Sequence, residues 1–318
     1  MNLKKLGRTS LEIPPIAFGG NVFGWTADKK MSFRLLDELL EKGFNYIDTA
    51  NVYSRWVEGH EGGESETVIG QWMKERGNRD KMIIATKVGM DMGQGHVELS
   101  AEHIKKQMDQ SLQRLQTDYV DVYFSHKHDD DTPIKETLAT YNQLVNDGKV
   151  RYIGASNFPL AELMESLEHS KTKNIPRYEV YQPEYNLMRR DGFEGAVRDF
   201  CIENDISVTS YFTLGSGFLT GKYDAKEDSE GRAREKHVSK FFNKKGEQVL
   251  NTLKDIAQEH NSSQAAVAIA WTMAQPGITA PIASATKPEH LEAFYRAVKI
   301  DLNKDQLDRL DDASSSSD

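Results

Sequence analysis

The feature that most constrains this chain is an alternation kept up over nearly its whole length, in which short β-branched or aromatic runs take turns with longer amphipathic stretches. Such alternation implies parallel strands joined by helical crossovers. Eight runs read as strands, at residues 15–18, 45–48, 82–87, 120–125, 152–156, 179–182, 206–211 and 281–283. Helical spacing covers 32–42, 64–75, 100–115, 133–147, 160–170, 193–203 and a pair of helices within 247–275. Ser100 is placed to cap the third of these, Thr132 precedes Pro133 at a first helical position, and Gly43 and Gly148 follow helix ends where a left-handed residue is wanted. Eight strands with this many crossovers favour closure, because a closed sheet has no edges. The expected fold class is therefore α/β, a (β/α)8 TIM barrel.

Three segments fall outside the alternation. Residues 3–13, with Gly7 near their centre, suit an N-terminal β-hairpin capping the barrel floor. Residues 213–245, after strand seven, form a long stretch rich in charge and glycine, expected to lie as a loop over the active-site face. Residues 313–318 are polar and low in complexity, which reads as a disordered tail behind a single domain spanning 1–312.

Composition narrows the function. With 38% hydrophobic and 28% charged residues the chain has the balance of a water-soluble enzyme. A net charge of -9 argues against nucleic acid as a partner, since phosphate backbones are held by surplus Lys and Arg. No apolar run approaches the roughly 20 residues that span a bilayer, and Met1 to Lys5 lacks the profile of a signal peptide, so no membrane partner and a cytoplasmic location are expected. Cys201 is the only cysteine, which excludes an intrachain disulfide and fits a reducing compartment. Its expected role is that of a small buried apolar group.

In barrels of this kind chemistry gathers at the carboxyl ends of the strands. Strand two ends in Asp48 with Tyr53 in the following loop, strand three ends in Lys87, and strand four runs into His126. An acid, a phenol, an ammonium and an imidazole are thus delivered to one rim. A phenol has a pKa near 10 in water and an adjacent ammonium favours the phenolate, so Lys87 is expected to lower the pKa of Tyr53. Asp48 would pair with Lys87 and keep it charged, and His126 would donate to a substrate oxygen or relay a proton. Phe23, Trp25 and Trp56, in the loops after strands one and two, are candidates for an apolar mouth over the substrate. Glu58, His60, Glu61 and Glu64 read as solvated surface. The run His126, Lys127, His128 superficially suggests a metal, but i and i+2 share a face only if the strand continues, and the following residues look like a loop; no metal is expected. The stretch GSGFLTGK (215–222) misses both the dinucleotide and the phosphate-loop spacings.

These residues resemble a known family, the aldo-keto reductases. The resemblance is carried by FNYIDTANVYS (44–54), IIATKVG (83–89), DVYFSH (121–126), GKVRYIGASNF (148–158), QPEYNLMRR (182–190), SGFLTGKY (216–223) and PIASATKPEHLE (281–292), in order across essentially the entire chain. It implies NAD(P)H-dependent reduction of an aldehyde or ketone to an alcohol, with Asp48, Tyr53, Lys87 and His126 as catalytic residues. It further implies that Ser156, Asn157 and Gln182 hold the nicotinamide carboxamide and that Tyr211 stacks on the ring. Gly20, Phe212, Leu214, Ser216, Gly217 and Lys222 join the cofactor set, the last five around the pyrophosphate. The segment from Ser284 to His290 resembles the family's adenosine 2′-phosphate clamp, with Ser284, Thr286, Lys287 and His290 as its residues, although Thr286 stands where Arg is common and Phe294 where Asn often contacts the adenine. Lys287 and the following helix amino terminus favour NADP(H), with NAD(H) possible. The expected partner is a small carbonyl compound, with the oligomeric state open, and the alternative is a nucleotide-sensing regulatory subunit with residual reductase activity.

Overall fold

The computed structural model describes residues 1–315 other than Asp224 and Arg232. Strands β1 (Lys4–Lys5) and β2 (Glu12–Ile13) pair antiparallel as the expected hairpin. Eight parallel strands follow: β3 (Ala17–Gly19), β4 (Tyr46–Asp48), β5 (Ile83–Val88), β6 (Val120–Ser125), β7 (Val150–Ser156), β8 (Tyr178–Gln182), β9 (Ser207–Val208) and β10 (Ile282–Ala283). They run round in sequence order, with β10 returning to pair with β3. Between β9 and β10 the wall is closed by single hydrogen bonds, from Thr279 N to Val208 O at 2.9 Å and from Ile282 N to Ser210 O at 2.7 Å. The fold is the expected (β/α)8 architecture with its hairpin.

Helices α1 (Lys29–Glu41), α2 (Glu64–Arg76), α3 (Ala101–Leu115), α4 (Ile134–Asn146), α5 (Leu160–Lys173) and α6 (Ala196–Glu203) connect successive strands, while α7 (Glu235–Val238), α8 (Lys244–Glu259) and α9 (Gln264–Ala274) lie between β9 and β10, and α10 (Glu292–Ala297) and α11 (Lys304–Ser315) end the chain. Caps explain where several of them begin. Ser100 Oγ accepts from His103 N as expected, and Asp28 and Asn243 accept from Met31 N and Gly246 N at 2.8 Å each, which starts α1 and α8 three residues earlier than apolar spacing alone indicates. Pro133 is itself the residue that precedes α4 rather than its first helical residue. Gly43 and Gly148 adopt left-handed conformations, with φ of +83° and +73°, so the chain leaves α1 and α4 as the sequence indicates.

Two expectations are corrected. The strand expected at 206–211 is regular only over Ser207–Val208; beyond it Thr209 N and Tyr211 N still bond to Tyr181 O and Pro183 O, but the chain bends outward toward the rim. The tail expected from residue 313 is helical through Ser315 in α11, and Ser314 is buried, donating to Leu310 O at 2.7 Å and accepting from Arg190 Nη1 at 2.6 Å. A low-complexity run gains order here because a neighbouring guanidinium supplies the contacts that composition lacks; residues 316–318 lie outside the described residues.

The core divides by side-chain parity. Inside the barrel Tyr46, Ile83, Ala85, Val122, Phe124 and Val180 pack on Leu6, Leu11 and Ile13 of the hairpin, which plug the floor. Alternate residues face outward into a larger cluster against the helices. The stretch 213–245 is subdivided by short helical turns, of which Gly215–Thr220 packs on α7, α8 and α9. Among the described residues no helix is long and apolar enough to cross a membrane.

Gly70 on α2 lies against the backbone of Arg114 and Leu115 at the end of α3, where an added Cβ would collide with the Arg114 carbonyl. Gly70→Ala should therefore separate the two helices and destabilise the fold by about 1–3 kcal/mol, read as a lower urea midpoint with activity per folded molecule preserved.

Candidate active site

Parity also assembles the site. Each inward core residue near a strand end is followed two positions later by a polar group on the same face: Tyr46 by Asp48, Ala85 by Lys87, Phe124 by His126, Val180 by Gln182. The barrel thus changes from an apolar floor to a polar rim within one pleat. Lys87 is fully buried and has three partners: Asp48 Oδ2 at 2.6 Å, the Thr49 carbonyl at 2.8 Å and the Tyr53 hydroxyl at 3.2 Å. Asp48 is held from its other side by Gln182 Nε2 at 2.9 Å. The His126 ring meets the Tyr53 ring edge-on with centroids 6.0 Å apart. All four residues expected to be catalytic are brought together.

Their protonation follows from desolvation and mutual charge. Burial alone would discharge Lys87, but Asp48, together with Tyr53, outweighs it and raises its pKa above 10.5. Burial and Lys87 together hold His126 well below 6.5, so the imidazole is neutral. For Tyr53 the expected direction is reversed: burial pushes the phenol above 10.0, Lys87 pulls it down and Asp48 pushes it up again, with a net rise. Charge proximity was the right interaction to invoke, but removing a phenolate from water costs more than one ammonium, already shared with Asp48, returns.

The loop that carries Tyr53 has an organiser that sequence reading placed on the solvated surface. Glu64, at the start of α2, accepts from Ser54 N at 3.1 Å, Glu61 N at 3.0 Å and Gly62 N at 3.3 Å, and His60 Nδ1 lies 3.1 Å from Ser54 Oγ. Burial favours the protonated form of Glu64, yet those backbone donors outweigh it and its pKa is lowered. The position of Glu64 in the first helical turn was the one available signal of this role. Beneath, Ser65 Oγ donates to Gly20 O at 2.7 Å and meets Thr49 Oγ1 at 2.8 Å, tying the loop after β3 to the loop after β4.

Of the expected mouth residues, Trp25 and Trp56 meet edge-on at 5.4 Å, and Trp56 meets Tyr53 at 5.8 Å. Phe23 does not belong with them. It is fully buried and stacks on Phe18 at 5.3 Å, because the turn after β3 directs it back into the core between sheet and helices. His128 turns to Asp130 and Glu162, at 3.4 and 3.8 Å, and packs on Phe158.

Residues 15–315 match the sequence profile of the Aldo/keto reductase family. The chain belongs to that family. An uncharacterized oxidoreductase of Bacillus subtilis (strain 168), YrpG, is 33% identical over 98% of this chain and 95% of its own length. An aryl-alcohol dehydrogenase of Phanerodontia chrysosporium, described with NADP(+), is 30% identical over 97% of this chain and 86% of its own. A probable voltage-gated potassium channel subunit beta of Oryza sativa subsp. japonica is 31% identical over 94% of this chain and 92% of its own. This aldo/keto reductase is an NAD(P)H-dependent oxidoreductase that acts on carbonyl groups and the corresponding alcohols.

The residues expected to hold a nicotinamide cofactor lie along the rim from β7 to β10. Asn157, at φ +55°, has its amide fixed at both ends, donating to Ser156 Oγ at 2.9 Å and His126 O at 3.1 Å and accepting from the Tyr211 hydroxyl at 2.7 Å. Ser156 Oγ donates in turn to Gln182 O at 2.8 Å. Phe212 (φ +56°), Ser216 (φ +58°) and Gly217 (φ +101°) are left-handed, and with Leu214 they fold the chain into a compact turn in which Lys222 Nζ lies against Gly217. Ser284 Oγ bonds to Gly19 O at 2.8 Å, and Thr286 Oγ1 is 3.4 Å from His290 Nδ1. Burial, Lys222 and Lys287 all lower the pKa of His290, so these two cations act together on one point of the rim. The expected helix begins there as the turn Pro288–Leu291, which runs directly into α10.

A neutral buried histidine makes stability pH-dependent. Below pH 6.5 the unfolded chain binds protons that folded His126, His103 and His290 refuse, so stability is full above 6.5 and is lost as pH falls below it. His126→Gln should reduce the slope of unfolding free energy between pH 6.5 and 5 by about one proton, or roughly 1.4 kcal/mol per pH unit. An unaltered slope in urea titrations would contradict a neutral His126.

Proposed function

We propose that this reductase converts an aldehyde or ketone to the alcohol with NADP(H), and that Tyr53 supplies the proton. The observation that carries the reading is the chain of contacts from Asp48 through Lys87 to the Tyr53 hydroxyl, at 2.6 and 3.2 Å. A proton donor must arrive protonated, and the raised pKa of Tyr53 ensures that at neutral pH. Once the proton is given up, the phenolate is left 3.2 Å from a charged ammonium that cannot move away, because Asp48 and the Thr49 carbonyl hold it. Lys87 therefore acts on the product side of the transfer, where its charge has an anion to stabilise. Neutral His126, alongside the Tyr53 ring, donates to the substrate oxygen and positions the carbonyl without adding a second cation next to Lys87.

The bound dihydronicotinamide supplies the hydride. Ser156, Asn157 and Gln182 are proposed to orient its carboxamide and Tyr211 its ring, with Phe212, Leu214, Ser216, Gly217 and Lys222 along the diphosphate and Gly20 also against the cofactor. Ser284, Thr286, Lys287 and His290 complete the adenosine end. The preference for a 2′-phosphate rests on the positive field that Lys222 and Lys287 share at a neutral His290. Trp25 and Trp56 form an aromatic wall beside Tyr53 that suits an apolar or aromatic carbonyl compound.

Tyr53→Phe should lower kcat for aldehyde reduction by roughly 10²–10⁴-fold while NADPH binding, followed by tryptophan quenching, stays within threefold; undiminished turnover refutes the donor role. Lys87→Met should likewise collapse kcat, with the melting temperature recorded because Asp48 is left buried without its partner. Lys287→Ala should weaken NADPH binding about tenfold, the order expected for one charge-assisted contact, and leave NADH binding unchanged. Tighter binding of NADH than NADPH by the unmodified protein would overturn the cofactor preference.

A further inference from the structure

Arg234 lies in the long segment after β9, immediately before α7, and reaches back over the mouth of the barrel. Its guanidinium stands 5.8 Å from the Trp25 ring centroid, and with the Asn21 amide turned to the orientation that satisfies its neighbours, Nη2 is 3.1 Å from the Asn21 oxygen while the amide nitrogen donates to Ser284 Oγ at 2.8 Å and Gly19 O at 3.3 Å. Burial lowers its pKa, so the cation is largely stripped of water. Among the described residues no carboxylate pairs with it; the groups beside it are a neutral amide, an indole face and the Tyr223 phenol. Several other partly buried arginines among the described residues are matched by an acid: Arg79 by Asp121, Arg114 by Glu66, Arg177 by Glu179 and Arg190 by Glu194 and Asp311.

We propose that Arg234 is a specificity determinant that receives a carboxylate on the substrate, remote from the reacting carbonyl. A dehydrated guanidinium with five donors and only one neutral acceptor is an incomplete anion site, since its fork matches a carboxylate in bidentate fashion. Its two contacts indicate which ligand completes it. The side toward the proposed cofactor residues is occupied by Asn21, itself bound to Ser284. The side toward Trp25 opens on a continuous row of rings, Trp25 to Trp56 at 5.4 Å and Trp56 to Tyr53 at 5.8 Å, that ends at the proposed proton donor. A substrate lying along those rings with its carbonyl at Tyr53 brings its far end to Arg234. The protein carries a net charge of -9, which repels anions at long range, so an acidic substrate requires a dedicated cation at the mouth.

The inference rests on the carbonyl-reductase reading above and is tested with ω-oxo carboxylates of graded chain length, each compared with its methyl ester, using NADPH. In the unmodified protein kcat/KM should favour the free acid over the ester at one chain length, and Arg234→Gln should lower that acid-to-ester ratio ten- to hundredfold through KM, with Arg234→Lys restoring part of it. An acid-to-ester ratio unchanged by Arg234→Gln overturns the assignment. So does a variant in which acid and ester lose equally while NADPH affinity falls, for then the guanidinium serves the cofactor diphosphate. Absence of turnover with every acid and every ester alike would instead count against the carbonyl-reductase reading itself, so the two failures are distinguishable.

Discussion

The buried ion pair between Asp48 and Lys87 is the interaction on which the rest of the site depends. An ammonium with no exposure to solvent is stable only where an anion and further acceptors replace water, and here a carboxylate oxygen at 2.6 Å and a carbonyl at 2.8 Å do so. The pair fixes where the charge lies, and that position dictates the states of its neighbours. His126 is kept neutral partly because Lys87 is already charged, and Tyr53 keeps its proton because the site is dry. Burial and one ion pair at the barrel rim thus set three protonation states together.

The ion pair requires a rigid frame, and the barrel provides it through register. Lys87 and Phe124 are paired across β5 and β6, and Asp48 and Ala85 across β4 and β5, so the polar rim is stepped on an apolar floor sealed by the hairpin. The loops are tied down by polar contacts instead. Glu64 gathers three backbone donors behind Tyr53, and Ser65 links that loop to Gly20. The same division, strands for charge placement and loops for shape, explains why residues of the mouth differ so much in burial: Phe23 is in the core while Trp56 is exposed.

Much of this was legible in the chain because it is periodic. Strand order, helix caps at Ser100, turns at Gly43 and Gly148, and the four polar residues that end or follow strands two to four are local or parity-determined properties, and parity alone carries Asp48, Lys87, His126 and Gln182 inward. What was not legible depended on neighbours distant in sequence. The direction of the Tyr53 shift needed the depth of its burial, the fate of Phe23 needed the path of a turn, and Ser314 is ordered by Arg190, more than a hundred residues away. Arg234 was one charge among many in a segment read as loop, and only folding isolates it from every acidic partner on the described surface.

The sequence by itself therefore determined the barrel and the identity of the groups at its rim, because alternation of side-chain polarity with a period of two or about 3.6 is enough to specify faces. Tertiary structure decided the energetics of those groups: which are dry, which are paired and which are left incomplete. The reason is physical. Hydrogen-bond identity is written in residue type, but the cost of a charge is set by the solvent it loses, and that loss exists only once distant segments have closed around it.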